Sequence, residues 1–219
     1  MTTQKTSPDR QILFESKTAR LTLSLETAAT GQPLRREADA WEELYVFKES
    51  GAGSWDRTVE CHYYCLPPDS ATPILGMTPE AQRLLRLVFR PLSSMQSSSP
   101  EFAKPLTELT TDQLQWNEIP SRRSGDPGGR VAELSRDPSG TRITSLMEGR
   151  PGWILDDHSH PSDVLAFCVH GGGTLGIGAD KMAYETGQLS VIRAETQHCF
   201  HSGPTGALLI VFVFEPQII

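Results

Sequence analysis

The sequence predicts an all-β protein made of two tandem copies of one small barrel. Three observations lead there: short β-branched and aromatic runs recur along the chain, turn-forming residues punctuate them, and the N-terminal half repeats the plan of the C-terminal half. Many short strands at close spacing favour a barrel or sandwich, because no single strand can bury a face unaided. At 219 residues the chain has room for one large domain or two small ones, with 37% hydrophobic residues to fill a core.

Taken in order, strands are expected over Arg20 to Glu26, Leu44 to Phe47 and Val59 to Leu66. Thr78 followed by Pro79 combines a helix N-cap with proline at the first helical position, so a short helix is expected over Thr78 to Leu85. Leu92 to Lys104 is polar, serine-rich and without pattern, the composition of a linker. The organisation expected is therefore an N-terminal repeat over 1–91, a linker over 92–109 and a C-terminal repeat over 110–219. Trp116 to Pro120 reads as the opening strand or arm of the second repeat. Further strands are expected over Arg142 to Met147, Val164 to Val169, Gln188 to Ile192 and Ala207 to Phe214. Turn chemistry at Thr30-Gly31, Gly51 to Gly53, Gly125 to Gly129, Pro138 to Gly140, Gly171 to Gly173 and Ser202 to Pro204 separates them.

The chemistry concentrates in the second half. His158 and His160 stand at i and i+2, which in a strand puts both side chains on one face. His198, from a neighbouring strand, can close a triangle around one divalent ion. Five residues separate Gly152 from His158, and ten separate His160 from Gly171. Gly187 opens a second run in which Arg193, Glu195, His198 and Ser202 recur at fixed offsets.

These spacings resemble the two motifs of the cupin superfamily, which the chain is read as joining. Gly152, His158, His160 and Gly171 fall on the places of the first motif, with Val164 where the family has glutamate. Gly187 and His198 match the second, while Arg193, Glu195 and Ser202 replace its proline, glycine and asparagine. The resemblance implies the double-stranded β-helix of the cupins, a bicupin of the RmlC-like kind, and a metal on His158, His160 and His198. Fe2+ or Zn2+ is expected, with Ni2+, Mn2+ and Cu2+ open.

With Val164 at the glutamate place, the ion lacks one negative charge and one ligand and has an open position for water, dioxygen or a bidentate substrate. That is similar to the three-histidine sites of thiol and diketone dioxygenases in the superfamily. Lewis-acid chemistry fits the same arrangement. The expected function is thus a metal-dependent enzyme acting on a small chelating organic substrate, by dioxygenation or by metal-assisted cyclisation or isomerisation. The alternative is a sensing protein similar to the cupin-like part of zinc anti-sigma factors, suggested by the paired layout and stretches such as Trp41 to Val46. The separate helical zinc module of those regulators is missing from the sequence. Arm exchange and a homodimer are further implications of the family.

Other residues near the motifs carry weaker readings. Asp156 is in phase with His158 and can approach the ion or orient that ring, whereas Asp157 should point away. Asp163 reads as a solvated turn residue, His170 as a turn residue, and Cys199 and His201 as lying outside the site. Gln188 and Glu195 read as loop or surface residues. Cys61-His62 and Cys65 resemble a metal clip but have no second pair to complete it.

In the N-terminal repeat, Glu37, Asp39 and Glu43 occupy the places of His158, His160 and Val164, and Thr72 that of His198. Inward-facing acids could hold a hard cation. The favoured reading is a vestigial site, with Arg35 or Arg36 pairing the acids.

The net charge of -7 argues against a nucleic-acid partner. No apolar run reaches the length of a membrane span, Leu208 to Phe214 being far too short. Residues Met1 to Pro8 carry no apolar leader core, so a cytoplasmic location is expected.

Overall fold

The computed structural model describes residues 10–17, 20–28, 37, 40–47, 61–66, 82–89, 113–120, 128–136 and 142–214. They are almost entirely strand, and the chain divides into two compact units. The expected linker and the clip side chains of Cys61, His62 and Cys65 lie outside the described residues, as do Arg35, Arg36, Asp39 and Thr72.

The first unit holds β1 (Arg10–Ser16), β2 (Leu21–Ala28), β3 (Trp41–Phe47), β4 (Cys61–Leu66) and β5 (Gln82–Phe89). They form one antiparallel sheet in the order β1-β2-β5-β3-β4. The short helix expected from Thr78 is not continued: Gln82 to Leu85 belong to β5, paired with both β2 and β3. Leu84, Leu85, Leu87 and Val88 are all buried, and so is Arg86 between them, so from Leu84 to Val88 this central strand is covered on both faces. A strand buried on both sides shows no alternation, and a local capping signal loses to two ladders of tertiary hydrogen bonds.

The second unit holds β6 (Asn117–Ile119), β7 (Gly129–Arg136), β8 (Arg142–Gly149), β9 (Ile154–His158), β10 (Asp163–Ile177), β11 (Asp180–Glu185), β12 (Leu189–Ile192) and β13 (His198–Phe214). Its sheet runs β11-β10-β13-β8-β7-β6, with β12 on β10 and β9 on β13. Each unit by itself therefore repeats one order, since β7-β8-β13-β10-β12 matches β1-β2-β5-β3-β4. Asn117 to Ile119 form the expected opening strand, and just before it Trp116 has Arg130, ion-paired to Glu148, stacked 4.2 Å over its ring.

Two long strands shape the second unit. β10 and β13 pair along nearly their whole lengths, with breaks in register around Gly172. Between the pairs Gly171↔Ala207 and Gly173↔Ser202, β10 has one residue and β13 has four, 203–206. The extra residues reverse the phase of β13. Before them Phe200 joins the apolar core; after them Ala207 and Leu209 do, with Val211 and Val213 against them. β10 switches similarly, from Val164, Ala166 and Cys168 to Leu175 and Ile177. Gly171 is at φ 75° with its Cα close against the Gly206 carbonyl, a place where a side chain would collide with backbone.

The core of this unit joins Met147, Trp153, Val164, Ala166, Cys168, Leu175, Tyr184, Ile192, Phe200, Ala207 and Leu209. Trp153 lies on a bed of Gly128, Gly129 and Gly149, whose missing Cβ atoms leave room for the indole. The opposite face of β8 and β13 is buried as well, through Leu146, Ile210 and Phe212. No helix of the described residues is long and apolar enough to cross a membrane.

Candidate metal centre

The structure brings the three predicted histidines together. His158 ends β9, His198 begins β13, and the two are direct partners in the antiparallel register. His160 follows two residues beyond His158, on the same side of the chain. Ring centroids are 4.3 Å apart for His158 and His198, 4.9 Å for His158 and His160, and 5.4 Å for His160 and His198. One ligand nitrogen from each lies within 4.8 Å of the others. Three bonds of ~2.1 Å to one tetrahedral ion require nitrogens roughly 3.4 Å apart, so the rings need only a small inward rotation.

The backbone sets which nitrogens point inward. Nδ1 of His158 lies 2.8 Å from the carbonyl of Asp156, and Nδ1 of His198 lies 2.8 Å from that of Thr196. Donation from Nδ1 to each carbonyl leaves the Nε2 lone pairs free, as a metal ligand requires. Burial lowers the pKa of His198 to about 4, and neighbouring His158 and His160 add to the fall against the bond to Thr196. His160 is lowered too, first by burial and then by His158. Burial thus favours the neutral, ligating form of His160 and His198, and a divalent ion fits the three-imidazole donor set.

Val164 is 2% exposed within the apolar core, paired with Ile192 and Val213. It offers no oxygen. Asp156 reaches His158 through its backbone carbonyl, and Asp157 is exposed, as its phase required. Cys199 and His201 share the other face of β13, Sγ to Nε2 at 3.7 Å, away from Phe200 and the core. His170 falls at the register break of β10. The reading of Asp163 as solvated is overturned: it is 2% exposed, and its Oδ1 accepts the Ala194 amide at 2.9 Å. The sequence carried a signal for this, because Asp163 immediately precedes a buried apolar run.

The N-terminal motif is also corrected, by one residue. Val164 pairs with Val213 and Ile192, while Val88 and Leu66 pair with Glu42. With Val88 equivalent to Val213, the counterpart of Val164 is Glu42, not Glu43. Glu42 shares the face of Leu44 and Val46, in the core with Tyr64, Leu66 and Leu84. Glu43 lies on the opposite face, wholly buried, accepting the hydroxyls of Tyr45 at 2.6 Å and Tyr63 at 3.2 Å. The cation beside Glu42 is Arg86, whose Nη2 is 2.9 Å away and whose Nη1 is 3.4 Å from Glu26. Arg10 reaches Glu26 at 3.1 Å, and the Glu37 amide donates to Glu42 at 2.7 Å. Counting residues across a loop could not reveal the slip; strand pairing does.

No family model matches the chain. No curated protein matches it. Solved structures do. A glyoxylate-induced protein of Pseudomonas aeruginosa is 12% identical with a TM-score of 0.66, covering 95% of this chain and 82% of its own. The protein Ylba of E. coli is 14% identical at a TM-score of 0.62, covering 94% and 82%. A cupin 2 conserved barrel domain protein from Leptotrichia buccalis is 12% identical at 0.55, covering 98% and 92%. The protein has the cupin fold, and these likenesses span both of its units.

Proposed function

We propose that this protein is a metal-dependent enzyme acting on a small, chelating organic substrate at His158, His160 and His198. The observation that carries the reading is the convergence of three imidazoles, two with Nδ1 on backbone carbonyls. When bound there, a divalent ion would supply Lewis acidity or redox chemistry at its exchangeable positions, since no fourth side-chain ligand joins the cluster among the described residues. His158 and His198 fix the geometry through their bonds to Asp156 and Thr196. Phe200, its ring 6.0 Å from that of His198, gives the site an apolar neighbour, and an apolar setting strengthens electrostatic interactions. Dioxygenation, or metal-assisted cyclisation or isomerisation, are the reaction classes that match.

The test is metal content by ICP mass spectrometry on protein purified without added metal, beside a His158→Ala, His160→Ala variant. About one equivalent of iron in the wild type, lost in the variant, leads to oxygen-uptake assays with diketones, thiols and catechol-like acids. Zinc leads to isomerisation and cyclisation assays. Wild type that holds no divalent ion even after reconstitution overturns the reading.

A further inference from the structure

Asp163 begins β10 and is buried, yet it is not one of the groups converging on the imidazoles. Its carboxylate accepts the Ala194 amide at 2.9 Å, in the loop between β12 and β13. The next amide, of Glu195, donates to the His160 carbonyl at 2.7 Å. The next carbonyl, of Thr196, accepts Nδ1 of His198 at 2.8 Å. Three consecutive loop residues thus tie Asp163 to two members of the triad.

The loop does not hold this shape by preference. Glu195 is at φ 61°, in the left-handed region that side chains other than glycine rarely adopt. Such a conformation persists only where surrounding bonds over-determine it. The Asp163 bond is charge-assisted and buried, the strongest kind available to an amide.

Resting on the metal reading above, we propose that Asp163 is a positioning residue of the centre. Its carboxylate fixes residues 194–196 and thereby the orientation of His198 and the backbone at His160. Groups that orient metal ligands typically contribute ~10–100-fold to affinity.

The experiment loads the full-length protein with Co2+ and records affinity and the visible ligand-field bands for wild type, Asp163→Ala, Asp163→Asn and His158→Ala. Asp163→Ala is expected to bind about 10–100-fold more weakly with altered bands. Asp163→Asn, which keeps an acceptor oxygen, is expected to stay within a few-fold of wild type with unaltered bands. Asp163→Ala with wild-type affinity and spectrum overturns the proposal. Should Asp163→Ala fail to fold, Asp163→Asn decides: folded by circular dichroism but tenfold weaker, it also overturns it. NMR of the His198 imidazole N–H in metal-free protein separates the two readings. Wild type that takes no Co2+ sinks the metal site, whereas the link from Asp163 stands or falls on whether Asp163→Ala moves that resonance.

Discussion

Glu42 and Arg86 form a buried ion pair, Oε1 to Nη2 at 2.9 Å, on the core face of the N-terminal sheet. By strand register their counterparts in the second unit are Val164 and Val211, both apolar. One unit thus neutralises an internal acid with a guanidinium of its own, and the other has neither charge. Breaking such a pair strands a carboxylate in the core. Arg86→Ala is expected to cost about 3–5 kcal/mol in urea unfolding. The double change Arg86→Met, Glu42→Leu should recover most of that, because neither charge then needs solvation. Equal losses in the single and double variants would show that packing, not charge, is at stake.

The depressed histidines give metal-free protein a defined acid sensitivity. His198 titrates near 6.5 when unfolded and at about 4 when folded, chiefly through burial. Between those values the unfolded chain binds more protons than the folded one, so stability falls as pH falls from about 6.5 toward 4. Below about 4 this contribution changes no further. Melting of EDTA-treated protein across that range should show the slope, and His198→Gln should flatten it.

Val164→Glu restores the acid that the first cupin motif carries. Without metal it puts a carboxyl into an apolar cluster and should destabilise by on the order of 3–5 kcal/mol. With Zn2+ added, a fourth ligand should raise affinity at least ~10-fold and return much of the stability. Calorimetric titration reads both. Unchanged Zn2+ affinity would place position 164 out of reach of the ion.

Glu195 holds a left-handed backbone where the second motif has glycine. That conformation costs an L-residue ~1–2 kcal/mol, against ~0.5–1 kcal/mol of extra entropy lost by glycine on folding. Glu195→Gly is therefore expected to raise stability slightly, by up to about 1 kcal/mol. Thermal unfolding checks it, and a clear loss would mean that the carboxylate itself is bonded in the fold.

The triad was legible because a period of two is robust over a short span: His158 and His160 need no knowledge of loops to share a face. In the second motif the alignment of Ile192 with Leu66 holds, since these two pair with the equivalent residues Val164 and Glu42, whereas Thr72 lies outside the described residues. The first motif slipped at Glu43, where alignment had to cross residues 32–40 by counting alone. β5 was misread because strands buried on both faces have no alternation, and a Thr-Pro start was the only local cue left. Asp163 was missed because its partner is an amide, which has no residue type to recognise, and its place before an apolar run was the sole hint of burial. Phe212 and Phe214 are buried on the face opposite Leu209, a choice of face that apolar residue type alone does not dictate.

The four residues 203–206 of β13 insulate one half of the strand from the other. His198 and Phe200 take their orientation from pairing with β9 and the far half of β10, while Leu209 and Val211 take theirs from β8. Length variation within 203–206 can therefore be absorbed without turning any histidine outward. A single deletion between 199 and 201 cannot, because it shifts His198 by one place and points its ring to the wrong side. The chain thus has one stretch where strand phase is reset, pinned at Gly203 and Gly206, and, a few residues away, one where frame is everything. Divergence of the core-forming half need not disturb the chemistry of the other.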